Sequence, residues 1–300
     1  MRKPAINTGF GICAVASVFA LTAITSNQTF AQTRPLTAPV SPVTTGTPAD
    51  TATSKFVVEG IPVILRQVTA NNVVAANLYL LGGVRQLTPE TEGIETLLLE
   101  STEHGTKKYP KNVLRQKMAQ LGSAIAVSPG IDWTTIGVRA TTTGFDSTWM
   151  IMADRLMQPL LLQADVDLVK EQLLEAIKGR TDSPDALLDH LADSVTYAGS
   201  PYALDPIGTE RSLAKMTVGT LRSYQTEQFV QSRMMLVVVG NVSRTRVEKL
   251  VRETLGRLPK GTYVWTAPPD LPSAPYSPAI VKRSLPTNYL QGSFRGPRAN

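Results

Sequence analysis

Few side chains in this chain could do metal or acid–base chemistry. Its 300 residues include two histidines, His104 and His190, and one cysteine, Cys13. His104 ends the run Glu100-Ser101-Thr102-Glu103-His104. On a helix, Glu100 and His104 stand one turn apart and could share a cation, with Glu103 beside them. A solvated helix end has the same pattern, with His104 placed near the negative end of the helix dipole, and the residues support that reading better. His190, in Leu187-Leu188-Asp189-His190-Leu191, reads as a surface or packing residue rather than a ligand. No convincing Ser-His-Asp arrangement stands out, though order in sequence does not exclude one. Gly82-Gly83 and Gly199-Ser200 read as turns, because no Gly-rich loop followed by Lys-Ser/Thr is present to cradle a phosphate.

The element that must position the first cluster is a helix expected over residues 92–104. Ile94, Leu97 and Leu98 give it a buried stripe, and Gly105 suits a left-handed C-terminal cap. Before it, Phe56–Leu65 and Asn72–Leu81 read as strands, rich in β-branched and large apolar residues and joined through Ala70-Asn71-Asn72. After it come a helix at Leu114–Leu121 and strands at Ser123–Val127 and Trp133–Ala140. Helices follow at Phe145–Met157, Asp165–Lys178, Pro184–Tyr197 and Val218–Phe229. Met234–Val239 is a fully apolar strand, and Val242–Leu258 a closing helix. This order predicts an α+β fold, a mostly antiparallel sheet with helices packed on one face.

Composition bounds the rest. A hydrophobic fraction of 42% supports a substantial core, and 6% aromatic content argues against a nucleic-acid binder built on base stacking. Residues 1–31 resemble a signal peptide: Arg2 and Lys3, an apolar run from Gly9 to Ile24, and a cleavage site at Thr29-Phe30-Ala31. The run is short for a stable membrane span. Its removal takes away Arg2 and Lys3 and no acid, which leaves +4 of the formal +6, and no basic stripe suggests nucleic acid. Cys13 lies inside it, so the mature chain has no disulfide or cysteine metal site. Residues 32–54, rich in Thr, Pro and Ala, are expected to be a disordered linker. The main domain is expected over 55–265 and a Pro-rich linker over 266–278. Ala279–Arg283 and Tyr289–Phe294 read as strands that echo the opening pair, so 279–300 is expected to start a second, truncated domain of the same kind. The expected location is the periplasm or exterior of a bacterium.

Four stretches together resemble the pitrilysin/insulinase-type zinc peptidases, the family of the mitochondrial processing peptidase subunits. They are Leu81-Gly82-Gly83-Val84-Arg85-Gln86 through Pro89 to Gly93; the helix running into Gly105-Thr106; Gly199-Ser200-Pro201-Tyr202 through Gly208-Thr209-Glu210; and Met235–Val242 with the helix after it. Order and spacing agree over roughly residues 55–260. In that family the metal helix carries His-x-x-Glu-His, two zinc ligands and a base that activates water, and a later glutamate completes the site. The flanking glycines align the pattern without a gap. The ligand positions are then Thr96 and Glu100, the base position Leu99, and the later glutamate position Ala176. Glu175, one residue off, is turned by about 100° on its helix.

The resemblance therefore implies a degenerate, zinc-less member with no catalytic residues, and no cofactor is expected. It implies a role as partner of an active zinc-bearing subunit that binds and cleaves peptides. Two alternatives stand beside it. One is an active metallopeptidase whose zinc site is displaced to Glu100, Glu103, His104 and Glu175. The other is a structural or binding homologue without a proteolytic role. The family's substrate-binding residues lie in a second domain and cannot be placed on this chain.

Overall fold

The computed structural model describes residues 53–266 and 278–294. The expected signal peptide at 1–31, all but the end of the linker at 32–54, and the core of the Pro-rich linker fall outside the described residues. Six strands form one sheet: β1 (Thr53–Val58), β2 (Ile61–Gln67), β3 (Val73–Leu81), β4 (Ala124–Ser128), β5 (Trp133–Thr141) and β6 (Met234–Gly240). Their order is β1-β2-β6-β3-β5-β4. Every pairing is antiparallel except β2 with β6.

Alternation decides which face of the sheet is covered. Val74, Ala76, Leu78 and Leu80 of β3 are buried, as are Ile136 and Val138 of β5 and Leu236 and Val238 of β6. Their neighbours in sequence point to the other face and stay partly open, as period-2 side-chain placement requires. The helices pack on the buried face. They are α1 (Ile94–Ser101), α2 (Lys111–Leu121), α3 (Phe145–Met157), α4 (Gln163–Asp182), α5 (Pro184–Thr196), α6 (Glu210–Lys215), α7 (Val218–Gln228) and α8 (Arg244–Glu253). The α+β architecture expected from the sequence is the one observed.

Several details differ from expectation. The first strand is a hairpin: Glu59 and Gly60 both take positive φ (51° and 88°), the two-residue turn that matches strand twist. The helix α6 was not anticipated, although Thr209 and Ser212 form a reciprocal capping box at its start. The closing helix ends at Glu253, and a 3-10 turn at Leu255–Arg257 follows it. The helix expected over 92–104 is α1 followed by a 3-10 turn at Thr102–His104. Gly105 is not a left-handed cap. Its φ of 123° and ψ of 162° carry the chain away extended, and a Cβ there would lie 2.8 Å from the Lys111 nitrogen. Residues 278–294 contain no strand and are exposed, with Leu290 and Phe294 each 95% accessible.

Two junctions hold α1. At its start, Gly93 (φ 88°) and Gly208 (φ 85°) touch backbone to backbone, and a Cβ on Gly93 would lie 2.7 Å from the Gly208 Cα. The Ser212 hydroxyl donates to the Glu92 carbonyl at 2.8 Å, closing the same junction. On its inner side, Glu95 accepts from Tyr224 at 2.7 Å and from Arg233 at 3.1 Å. The Arg233 guanidinium also donates to the Leu81 carbonyl at 2.7 Å and the Gln228 carbonyl at 3.3 Å. Ile94, Leu97, Leu98 and Leu99 are all buried, more than the single stripe the spacing suggested, because α1 packs on helices α4 and α7 and its apolar residues enter the main core.

The Glu95–Arg233 pair is 6% and 1% exposed at its side chains, so cutting it leaves a charge inside. Replacing Arg233 by Met is expected to cost about 3–5 kcal/mol of stability. The double variant Glu95→Leu/Arg233→Met is expected to lose less than the single one, measured by urea denaturation. A second prediction concerns Glu92, which is 6% exposed and whose carboxylate makes no hydrogen bond or ion pair among the described residues. Burial first, and Asp205 second, push its carboxyl up from 4.5 to about 7, against the pull of Arg211. The folded state therefore holds an extra proton between those values, and stability falls as pH rises through that window. Thermal unfolding of Glu92→Gln beside the parent should show the variant's advantage growing from pH 4.5 to 7. Parallel pH profiles would refute this assignment.

Candidate functional site

The metal-helix positions can now be read in space. Thr96 is 1% exposed, and its hydroxyl donates to the Pro206 carbonyl in the segment that follows Pro201-Tyr202. Leu99 is fully buried in the main hydrophobic core. Glu100 is partly buried and has no hydrogen-bond or ion-pair partner among the described residues. Burial, and then the neighbouring Glu103, raise its carboxyl above the ordinary range. Ala176 is exposed on α4, one turn beyond the buried Leu173. Helices α1 and α4 do pack together, so the elements that carry these positions are adjacent.

The displaced set disperses into separate pairs. Glu103 meets Arg155 at 3.1 Å, and Glu175 meets Lys178 at 3.1 Å on the outer surface of α4. The His104 Nδ1 lies 3.1 Å from Asp165, whose same oxygen takes Lys111 at 2.8 Å. The hydrogen bond from Lys111 is the main reason Asp165 stays below the usual carboxylate range. His104 is thus not at a solvated helix end, since the 3-10 turn swings it against α4 and leaves its side chain 14% exposed. Among the described residues, no three His, Cys, Asp or Glu side chains gather around a common point.

His190 is a surface residue, 44% exposed at its side chain, as expected. Its ring lies 3.2 Å from Arg180 and 3.8 Å from Asp205. Arg180 pairs directly with Asp205, which also accepts from the Ile207 N–H at 3.0 Å. This group fastens the C-terminal half of α4 to the segment whose Pro206 carbonyl covers Thr96. A third cluster joins Arg85, Asp132 and Tyr202. Tyr202 donates to Asp132 at 2.9 Å, and Arg85 lies 3.5 Å from it. Burial first, then Asp132, push the Tyr202 hydroxyl up to about 12. Arg85 also donates to the Thr266 carbonyl at 3.0 Å and stands 5.1 Å from the Trp265 ring, where the main domain hands over to the Pro-rich segment.

Sequence reading missed the polar residues that hold the site together, Glu95, Arg233, Tyr224 and Asp205, and the enclosure of Glu92. Glu95 and Arg233 are 138 positions apart, and a charge in a mixed stretch gives no sign that its partner is buried. One signal was available. Glu92 and Glu95 flank the apolar start of α1, where burial of at least one carboxylate follows from the leucine run.

Comparison with known proteins follows this geometry. Residues 62–210 match the model of the insulinase family, peptidase family M16. Residues 215–300 match that of the peptidase M16 inactive domain. An uncharacterized zinc protease, YmxG, of Bacillus subtilis is 22% identical over 184 residues, 61% of this chain and 45% of its own. Subunit 1 of the mitochondrial cytochrome b-c1 complex of Caenorhabditis elegans is 23% identical over 178 residues, 58% of this chain and 38% of its own. The crystal structure of a peptidase M16 inactive domain from Pseudomonas fluorescens superposes with a TM-score of 0.67 at 17% identity, covering 72% of this chain and 53% of that one. The periplasmic protease PqqL of Escherichia coli gives 0.64 at 16% identity, covering 72% and 25%. The chain spans about half or less of the length of these relatives. With two models of one family matching in succession along most of its length, the chain belongs to the insulinase (M16) peptidase family.

Proposed function

We propose that this chain is a non-catalytic member of the family that works as the partner of a zinc-bearing subunit in peptide processing or degradation. The observation that carries this reading is the chemistry of the four site positions. A zinc site of this type needs nitrogen or carboxylate donors that converge. Thr96 supplies a hydroxyl already donated to Pro206, and Leu99 supplies a hydrocarbon chain inside the core. Ala176 supplies a methyl group. Glu100 alone is a donor, and one carboxylate does not hold zinc in competition with water and other ligands. These residues do not fit the metal, and leucine has no group to activate water.

The four positions lie within residues 62–210, the stretch that matches the insulinase family model, so the reading rests on their side chains. The resemblance of residues 1–31 to a signal peptide supports work outside the cytoplasm, in the periplasm or exterior. A second reading, a structural homologue with no peptide to handle, draws on the Caenorhabditis elegans relative, which is named as a subunit of a cytochrome b-c1 complex.

Metal analysis tests the first half of this proposal. Protein purified with zinc present is expected to carry far less than one equivalent, and His104→Ala should leave that content unchanged. A full equivalent lost in the variant would establish the displaced site and overturn the reading. Affinity purification from the native host tests the second half. The expected companion carries an intact His-x-x-Glu-His helix, and peptide cleavage should appear only when both are mixed. A companion complex without any peptidase would favour the structural reading.

A further inference from the structure

Two stretches far apart in the sequence dock on Arg85 and Asp132. Arg85 stands on the 3-10 turn Gly83–Gln86. That turn is tied to the loop that carries Asp132. The Gly82 N–H donates to the Asp132 carbonyl at 2.7 Å, and the Val84 N–H to the Gly130 carbonyl at 3.3 Å. The two charged side chains therefore share one backbone platform, and their Arg85 Nη1 to Asp132 Oδ1 distance is 3.5 Å.

The first stretch is a strap, residues 259–266, which runs along the main domain without forming a helix or strand. The Gln231 and Ser232 N–H groups donate to the Pro259 and Lys260 carbonyls, each at 2.9 Å. The Tyr263 N–H donates to the Ser232 hydroxyl at 3.0 Å. The strap then ends on Arg85. Its Nη2 donates to the Thr266 carbonyl at 3.0 Å and to the Thr266 hydroxyl at 3.3 Å, and the guanidinium stands 5.1 Å from the Trp265 ring. The second stretch is the 199–209 segment. Its turn at Pro201–Ala203 packs on the turn that carries Arg85. The Tyr202 hydroxyl donates to Asp132 Oδ1 at 2.9 Å, the same oxygen that Arg85 faces. Further along, this segment takes the Thr96 hydroxyl on the Pro206 carbonyl, pairs Asp205 with Arg180, and sets Gly208 against Gly93.

Asp132 is where the two stretches compete. With the strap on Nη2, the guanidinium reaches the carboxylate through the long Nη1 contact, and Oδ1 is left to Tyr202. A guanidinium released from the strap can turn two parallel N–H bonds onto the carboxylate, and a charge-assisted pair of that kind is stronger than a bond from a neutral hydroxyl. We propose that the strap and the 199–209 segment are coupled through Arg85 and Asp132, so that lifting residues 265–266 off Arg85 loosens Tyr202 and, with it, the Pro206 cover of Thr96. The path of the chain at residue 266 thus sets how firmly the 199–209 segment sits on α1. The coupling is a property of the scaffold and does not rest on the chain being non-catalytic.

Hydrogen exchange of the full chain, read by mass spectrometry, tests this. The reporters are the N–H groups of Ala203, Leu204, Ile207 and Gly208, each of which has its acceptor inside the segment. W265A/T266V takes the ring and the hydroxyl away from Arg85. The reporters are then expected to exchange about 3-fold faster, the factor that one exposed cation–π contact is worth, while β3 and β5 keep the parent's rates. Tyr202→Phe removes the competing donor, so adding W265A/T266V to it should change the reporters no further. Arg85→Met removes the guanidinium that competes with Tyr202, so its reporters should stay near the parent's rates with or without W265A/T266V. Unchanged reporters in W265A/T266V overturn the proposal. So does an acceleration that β3 and β5 share, or one that is equally large in the Tyr202→Phe or Arg85→Met background.

Discussion

The buried pair of Glu95 and Arg233 is the constraint on which the site's geometry rests. One guanidinium reaches α1, the end of β3 through the Leu81 carbonyl, and the end of α7 through the Gln228 carbonyl. Tyr224 adds a second donor to the same carboxylate oxygen. Taking two charges out of water is costly, and a hydrophobic pair of the same volume is often as stable. What the pair supplies is geometry: α1 cannot slide along the sheet or rotate without stranding a charge. Desolvation opposes the charged Arg233, yet its attraction to Glu95 and Tyr224 wins and raises its pKa. The guanidinium is therefore held charged inside the fold.

The glycine contact is the second constraint and acts at the start of the same helix, one turn or less from Glu95. Gly93 and Gly208 let two backbone segments meet with no side chain between them. That approach brings Pro206 to Thr96 and places Glu92 beside Asp205. The cost appears at Glu92, a carboxylate enclosed with no hydrogen bond or ion pair of its own. Close backbone packing and an uncompensated acid thus arise from one junction, and the Ser212 hydroxyl bond to the Glu92 carbonyl offsets part of that cost.

Much of the fold was legible in the sequence because period-2 alternation in β3 and β5 and the unbroken apolar run of β6 report burial directly. The strands of the sheet and most of the helices fall close to where the pattern puts them. The failures have physical causes. Glu59-Gly60 sits inside an apolar stretch, and only its positive φ angles reveal a turn. The helix α6 is six residues long, too short for periodicity, and its capping box was the sole signal. The second strand pair at 279–294 had the right residues but no partner strands among the described residues, and alternation alone does not make a sheet. At the site, the helix and the glycine before it could be named from the sequence. The destination of His104 could not, because the change from α to 3-10 winding that turns it toward Asp165 leaves no mark in the residue types.

Position 99 shows how the scaffold holds α1 by packing. A side chain there is enclosed by the sheet-facing core, so the position favours hydrocarbon unless something nearby stabilises a charge. Leucine contributes about 1.5–3 kcal/mol by its burial, and it does so without a metal. Thr96 likewise satisfies its hydroxyl on a carbonyl that the glycine contact brings close. The leucines of the helix are accounted for by packing, and Glu95 and Thr96 by hydrogen bonds to Tyr224, Arg233 and the Pro206 carbonyl. A helix held in this way is fixed by the protein's own side chains, from the core leucines on one side to the Thr96 hydroxyl bond on the other.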